Sequence, residues 1–258
     1  MKRLSILLLC FILLAGCTAM PEGAKAEPVR IAVVDTGFSD ALSGEKLAPG
    51  YNYLDPEAGT KDTYGHGTAV ASVILDNTSD AVLVPLVCSA YEKGYIKSAA
   101  PEVLARCIRE AADLYHCPII HISAGYTGDD PALRKAVEYA HSKGILIVAS
   151  AGNDWQENPG QVYYPAAYPQ VLAVGALNKE QNAPAPFSQQ GAWVDCYGPG
   201  TEIAVLTLSG SRDTGDGSSY AAAAVTAMAA ELLKDQAELS GDALRQMLLK
   251  NGIYLKSS

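Results

Sequence analysis

Five short runs rich in β-branched and aliphatic residues constrain this chain more than anything else in it: 29–34, 81–87, 119–123, 145–150 and 171–174. Between some of them lie stretches of helical length and composition, at 66–75, 99–115 and 131–143. Strands this continuously apolar have no wet face, so each must be covered on both sides. Alternation with helices then predicts an α/β fold: one doubly wound, mainly parallel sheet with helices on both faces, in a single domain. After Trp193 the pattern shifts to short strands, with 201–208 as one arm of a hairpin, a helix opened by Ser219 and a last helix over 241–250. Apart from the alanines of the Ser219 helix there is no low-complexity segment, and no internal repeat.

The first residues belong to a different problem. Met1-Lys2-Arg3 is basic, residues 4–14 are nearly all apolar, and Leu14-Ala15-Gly16-Cys17 closes the run with small residues. That is the layout of an export signal, too short for a comfortable membrane-spanning helix. Leu-Ala-Gly-Cys resembles the bacterial lipobox, which implies cleavage before Cys17 and lipid attachment there; the alternative is an ordinary signal peptide that happens to contain a cysteine. The expected layout is a signal over 1–16, a lipidated cysteine and tether over 17–28, and the folded domain over 29–258. The expected location is extracytoplasmic, held to a bacterial membrane by the lipid.

The formal charge of −9 becomes −11 once Lys2 and Arg3 leave with the signal. So acidic a chain argues against nucleic acid as a partner and against electrostatic attraction to an anionic bilayer. Cys88, Cys107, Cys117 and Cys196 remain beside Cys17 in the mature chain. They form no CxxC and no zinc-ligand spacing, so they read as small buried hydrophobes or as one disulfide, whose pairing the spacing leaves open.

In a doubly wound sheet, ligands bind beyond the carboxyl ends of the strands. Asp35-Thr36-Gly37, Ser123-Ala124-Gly125 and Ser150-Ala151-Gly152-Asn153 all fall at such ends. Asp35 follows directly on an apolar strand, where a carboxylate needs donors or a function. His66 stands between two glycines at the start of a helical stretch, where an isolated histidine would more often be a capping or satisfied core residue. Ser218 and Ser219 follow Gly217 at the mouth of an alanine-rich helix; serine is also a preferred N-cap. Together, however, a carboxylate, an imidazole and a hydroxyl at the ends of buried elements are the parts of an activated nucleophile: the base takes the hydroxyl proton, and the carboxylate orients the base and stabilises its cation.

These residues resemble the motifs of the subtilisin-like serine peptidases, in their order. Asp35-Thr36-Gly37, His66-Gly67-Thr68-Ala69-Val70-Ala71-Ser72, Ser123-Ala124-Gly125, Ala151-Gly152-Asn153 and Gly217-Ser218-Ser219-Tyr220-Ala221-Ala222 carry the likeness, which runs from about Val29 to Lys250. The chain order Asp, His, Ser is that of subtilisin itself, a known property of the family. The resemblance implies Ser219 as nucleophile, His66 as general base and then acid, and Asp35 as its orienting partner. It implies Asn153 as an oxyanion donor together with the Ser219 backbone N–H. It makes Ser123, Ala124 and Gly125 an edge for an extended peptide and one wall of the specificity pocket. Tyr163 falls near the floor of that pocket, where small residues are frequent in the family, which points to a shallow pocket favouring small side chains before the scissile bond.

The chain departs from the family pattern in places. Ala223 stands where proline is usual and Tyr220 where methionine is common. The connection 76–80 is too short for the calcium loop of many relatives, so no metal is expected to be required. Between Cys17 and Val29 there is no room for a folding propeptide, so the chain is expected to fold unaided, to use a separate helper, or not to be held as a zymogen. The overall expectation is a monomeric serine endopeptidase acting on extracytoplasmic peptides or proteins, with no cofactor. The alternative is a catalytically silent relative serving as a surface binding module. A nucleotide-binding domain is disfavoured because no glycine-rich phosphate loop follows the first strand.

Overall fold

Strand β1 (Val29–Asp35) is buried at every position except Arg30, whose Nε reaches out to the Tyr115 carbonyl at 2.9 Å. The computed structural model describes residues 27–42, 44–92 and 95–250; the signal and Cys17 lie outside the described residues. β1 lies between two strands of its own kind, β3 (Ala81–Val87) and β6 (Ile119–Ile122), and is parallel to both. The sheet continues through β7 (Leu146–Ser150), β8 (Val171–Leu177) and β9 (Cys196–Pro199), while the two-residue β2 (Tyr51–Asn52) closes the other edge. The order is β2-β3-β1-β6-β7-β8-β9, seven strands with every pairing parallel.

The two faces of this sheet are both dry, as runs without alternation require. Ile31, Val33, Leu83, Val148 and Val174 point to one side, against helices α1 (His66–Asp76), α4 (Ser218–Asp235) and α5 (Gly241–Lys250). Ala32, Val34, Leu86, Ile120 and Ile147 point to the other, against α2 (Pro101–Asp113) and α3 (Pro131–Ser142). α3 starts on Asp130, whose carboxylate accepts from the Ala132 and Leu133 N–H groups, with Pro131 in the first turn, both favourable start signals. α4 is different: eleven of its residues are buried, most of them alanines, so it runs through the molecule. Ala223 is fully buried and α4 continues without a break, although the family's proline is missing there.

Two antiparallel pairs stand apart from the sheet. β10 (Ile203–Leu206) with β11 (Arg212–Gly215) is the hairpin expected after Trp193. The hairpin of β4 (Ser89–Glu92) and β5 (Tyr95–Ser98) was not expected; its strands mix polar, charged and apolar residues with neither alternation nor a sustained apolar run. The four cysteines among the described residues are all buried free thiols, so of the two readings left open the structure takes the hydrophobic one. No described helix is long and apolar enough to cross a membrane.

Candidate active site

The parallel sheet delivers its strand ends to one edge, and there β1 ends on Asp35. This carboxylate is 4% exposed. Its Oδ1 accepts from the Thr36 N–H and faces His66 Nδ1, both at 2.7 Å. Burial alone pushes the Asp35 carboxyl up. The His66 charge, its hydrogen bond and the Thr36 N–H outweigh that and hold it below the ordinary value. For His66, burial favours the neutral ring, but the Asp35 charge and hydrogen bond, helped by Asp62, raise the imidazole above its ordinary 6.5. Each group therefore stabilises the charged form of the other.

His66 is held by how α1 begins. Its N-cap, Gly65, has a left-handed φ of 107° and no side chain to cap the helix. Asp62 supplies the missing acceptor: Oδ1 takes the Tyr64 and Gly65 N–H groups, and Oδ2 takes the Thr68 N–H and hydroxyl at 2.9 and 2.6 Å. A carboxylate at a helix N-terminus also meets the positive end of its dipole. Asp62 further accepts from Thr36 Oγ1, and Thr36 Oγ1 in turn accepts from the Gly67 N–H at 2.8 Å. The turn after β1 and the start of α1 are thus one network. Their approach is so close that a Cβ on Gly67 would stand 2.3 Å from the Gly37 carbonyl oxygen, so only glycine fits. Reasoning from the sequence missed Asp62, a single acidic residue in a polar loop whose partners are set by the fold.

Ser219 lies in the first turn of α4 and is 5% exposed. With Asp35, Thr36, His66, Ser123 and Asn153 it lines a cavity of about 260 Å³. The expected residues are therefore brought together from 35, 66, 123, 153 and 219. Neither serine caps α4: the N-cap is Gly217, and both hydroxyls sit inside the helix start. Ser218 is committed inward, its Oγ accepting from the Gly152 N–H at 3.2 Å. Asn153 Oδ1 accepts from the Ser218 N–H at 2.8 Å. That bond fixes which end of the amide is which and leaves its NH₂ group as the donor. The Tyr220 ring stacks on His66 with centroids 6.0 Å apart.

Residues 123–125 lead from the end of β6 to a bridge between Tyr126 and Tyr164. Beside them the ring of Tyr163 lies between two glycines. A Cβ on Gly152 would meet it at 2.9 Å, and one on Gly125 would meet its Cβ at 3.3 Å. The Tyr163 hydroxyl donates to Asp154 Oδ2 at 2.6 Å, and Asp154 Oδ1 also accepts from Gln189 Nε2 at 2.9 Å. Burial and the Asp154 bond push the Tyr163 phenol up to about 12. The ring is thus a neutral donor clamped in the slot.

Behind the cavity, His121 on β6 is completely buried and bonded at both ring nitrogens, to Thr226 Oγ1 at 3.0 Å and to Ser123 Oγ at 2.8 Å. Sequence reasoning missed it too, although an ionisable residue inside an apolar strand is a signal the sequence carries.

Comparison with known proteins agrees with this geometry. The Subtilase family profile matches residues 27–253. Subtilisin DY of Bacillus licheniformis is 30% identical over 242 residues, covering 92% of this chain and 88% of that protein. The minor extracellular protease Epr of Bacillus subtilis is 34% identical over 257 residues, but the chain spans only 37% of its length. Among solved structures, a cold-adapted subtilisin-like serine proteinase superposes with a TM-score of 0.75 at 26% identity, covering 85% of this chain and 80% of that one. With the parallel sheet, the strand-end site and these matches in agreement, the chain belongs to the subtilase family of serine-type endopeptidases.

Proposed function

We propose that the protein hydrolyses peptide bonds through Asp35, His66 and Ser219, with an acyl-enzyme on Ser219. The observation that carries this reading is the Asp35–His66 contact of 2.7 Å in the cavity that also holds Ser219. His66 takes the Ser219 proton as the hydroxyl attacks the carbonyl carbon, and Asp35 stabilises the imidazolium so formed. The negative oxygen of the tetrahedral intermediate is met by the Asn153 amide NH₂ and the Ser219 backbone N–H. The latter sits at the positive end of α4. His66 then returns its proton to the leaving amine, and water repeats the sequence to release the acid.

An extended peptide lies along residues 123–125, which place its side chain before the scissile bond against Tyr163. With that slot filled by a ring tied to Asp154, the preference is for small residues at this position. No metal takes part. At the end of α1 Asp76 pairs with Arg212, and in the turn after it the Thr78 and Ser79 hydroxyls donate to Glu231, so these oxygens have protein partners. The apolar start and Leu14-Ala15-Gly16-Cys17 support an exported enzyme tethered by lipid on Cys17, and the acidic charge favours protein substrates over nucleic acid.

A fluorophosphonate probe tests the chemistry. Labelling mapped to Ser219, abolished in Ser219→Ala and weakened in His66→Ala, is the expected result. A folded protein that takes no label would instead be a silent relative used for binding.

A further inference from the structure

His121 is a second histidine within hydrogen-bond reach of a serine at the same cavity, and its protonation is settled by its neighbours. Thr226 lies inside α4 and spends its only proton on the Ala222 carbonyl one turn back, at 2.8 Å. Its Oγ1 therefore meets His121 Nδ1 as an acceptor, so Nδ1 carries the ring proton. Nε2 is then a bare lone pair in the neutral ring, and Ser123 must donate to it. The chain of donors runs one way: Ser123 hydroxyl to His121 Nε2, His121 Nδ1–H to Thr226, Thr226 hydroxyl to the Ala222 carbonyl.

This pair is not a second nucleophile and base. No carboxylate is bonded to His121, and it has no exposure to water. Burial, aided by the His66 charge and opposed by Asp35, pulls its imidazole down to about 4. A base that weak does not activate a serine near neutral pH.

Asp35 ends β1 and Ser123 follows β6, the strand paired beside it. Ser123 lines the cavity with Asp35, and Asp35 Oδ2 is a buried oxygen with no hydrogen-bond partner among the described residues. We propose that His121 is a positioning residue for the proteolytic reaction: it holds the Ser123 proton away from the cavity, so that Ser123 does not donate to Asp35 and Asp35 acts on His66 at full strength, while Thr226 ties this arrangement to the helix that carries Ser219. The inference rests on the triad reading. A carboxylate that accepts an additional hydrogen bond is a weaker partner for an imidazolium, so freeing the Ser123 proton lowers the basicity of His66. The titratable groups facing this region are Asp35 on β1, His66 on α1, Asp62 in the loop before α1, Asp216 before α4 and Tyr220 on α4.

Two measurements test it. In the intact protein labelled with ¹⁵N-histidine, one ring, assigned by its loss in His121→Gln, is expected as the neutral Nδ1–H tautomer and unchanged between about pH 5 and 8, the range in which an ordinary histidine titrates. In Thr226→Val the acceptor is gone and the same ring is expected to switch to Nε2–H. In kinetics, His121→Leu is expected to move the acidic limb of kcat/KM down by about half a pH unit, and His121→Gln, which keeps an acceptor for Ser123, to return it. A wild-type ring that is Nε2–H or that titrates in this range overturns the proposal, as does an unmoved limb in folded His121→Leu. Once the ring is assigned, its titration is read in the wild type and needs no activity. Loss of probe labelling in the wild type would sink the triad reading while leaving the tautomer result standing.

Discussion

Asp35 makes its two hydrogen bonds through one oxygen, and the stronger of their consequences falls on His66. Because the folded protein raises the His66 imidazole above 6.5, the base is protonated, and activity lost, as pH falls through a value above that of an ordinary histidine. The acidic limb of kcat/KM against pH is therefore expected above 6.5, and Asp35→Asn is expected to lower it and to cut kcat by about 10⁴-fold, the cost of losing the orienting carboxylate in such triads. Tyr163 carries a different expectation. Tyr163→Gly empties the slot between Gly125 and Gly152, so kcat/KM for peptides with a large aromatic before the scissile bond is expected to rise relative to those with alanine. An unchanged ratio in a peptide panel would remove Tyr163 from the pocket. At this scale Asp35, His66, Asn153 and Ser219 were legible because their order and flanking residues narrow the choice. Asp62 was not, since nothing in a polar loop marks an acid that will close a helix start and bind a threonine at once. His121 stands out as an ionisable ring within an apolar run, but its two partners come from 105 residues away and from the strand's own end, and only the fold joins them.

Among the elements, α4 carries most of the consequence. It packs against α1, α5 and strands β6 to β9, and the alanines on it are what allow such close approach. Ala222 is completely buried, and a leucine there has no space to enter. Ala222→Leu is expected to destabilise by about 1–3 kcal/mol, read as a lower urea midpoint at constant slope in a Ser219→Ala background that prevents self-digestion. A midpoint unchanged from the parent would mean that α4 has slack. Five of the seven strands of the main sheet were legible to within a few residues, because buried parallel strands write themselves as apolar runs, whereas the short edge strands β2 and β9 were not. The β4–β5 hairpin was not: Ser89–Glu92 and Tyr95–Ser98 mix polar, charged and apolar residues, and their pairing is decided by contacts the sequence does not display locally.

For the molecule as a whole, charge is the property that reaches furthest from the surface. A formal net charge of −9 attracts cationic chains before contact. A peptide substrate flanked by lysines is expected to show a higher kcat/KM than its aspartate-flanked twin at low ionic strength. The two should converge above about 0.15 M salt, where the screening length shrinks to roughly 8 Å. Parallel curves would show that local contacts at the cleft, and not the overall field, set the preference.

β1 lies near the middle of the sheet although it is the first strand among the described residues, and the helix bearing Ser219 is laid down only after every strand of that sheet. A nascent chain halted between residues 67 and 218 holds Asp35 and His66 but not Ser219. On the proposed mechanism the nucleophile is therefore the last of the three residues to be synthesised, and connectivity alone keeps a chain interrupted before it from forming an acyl-enzyme.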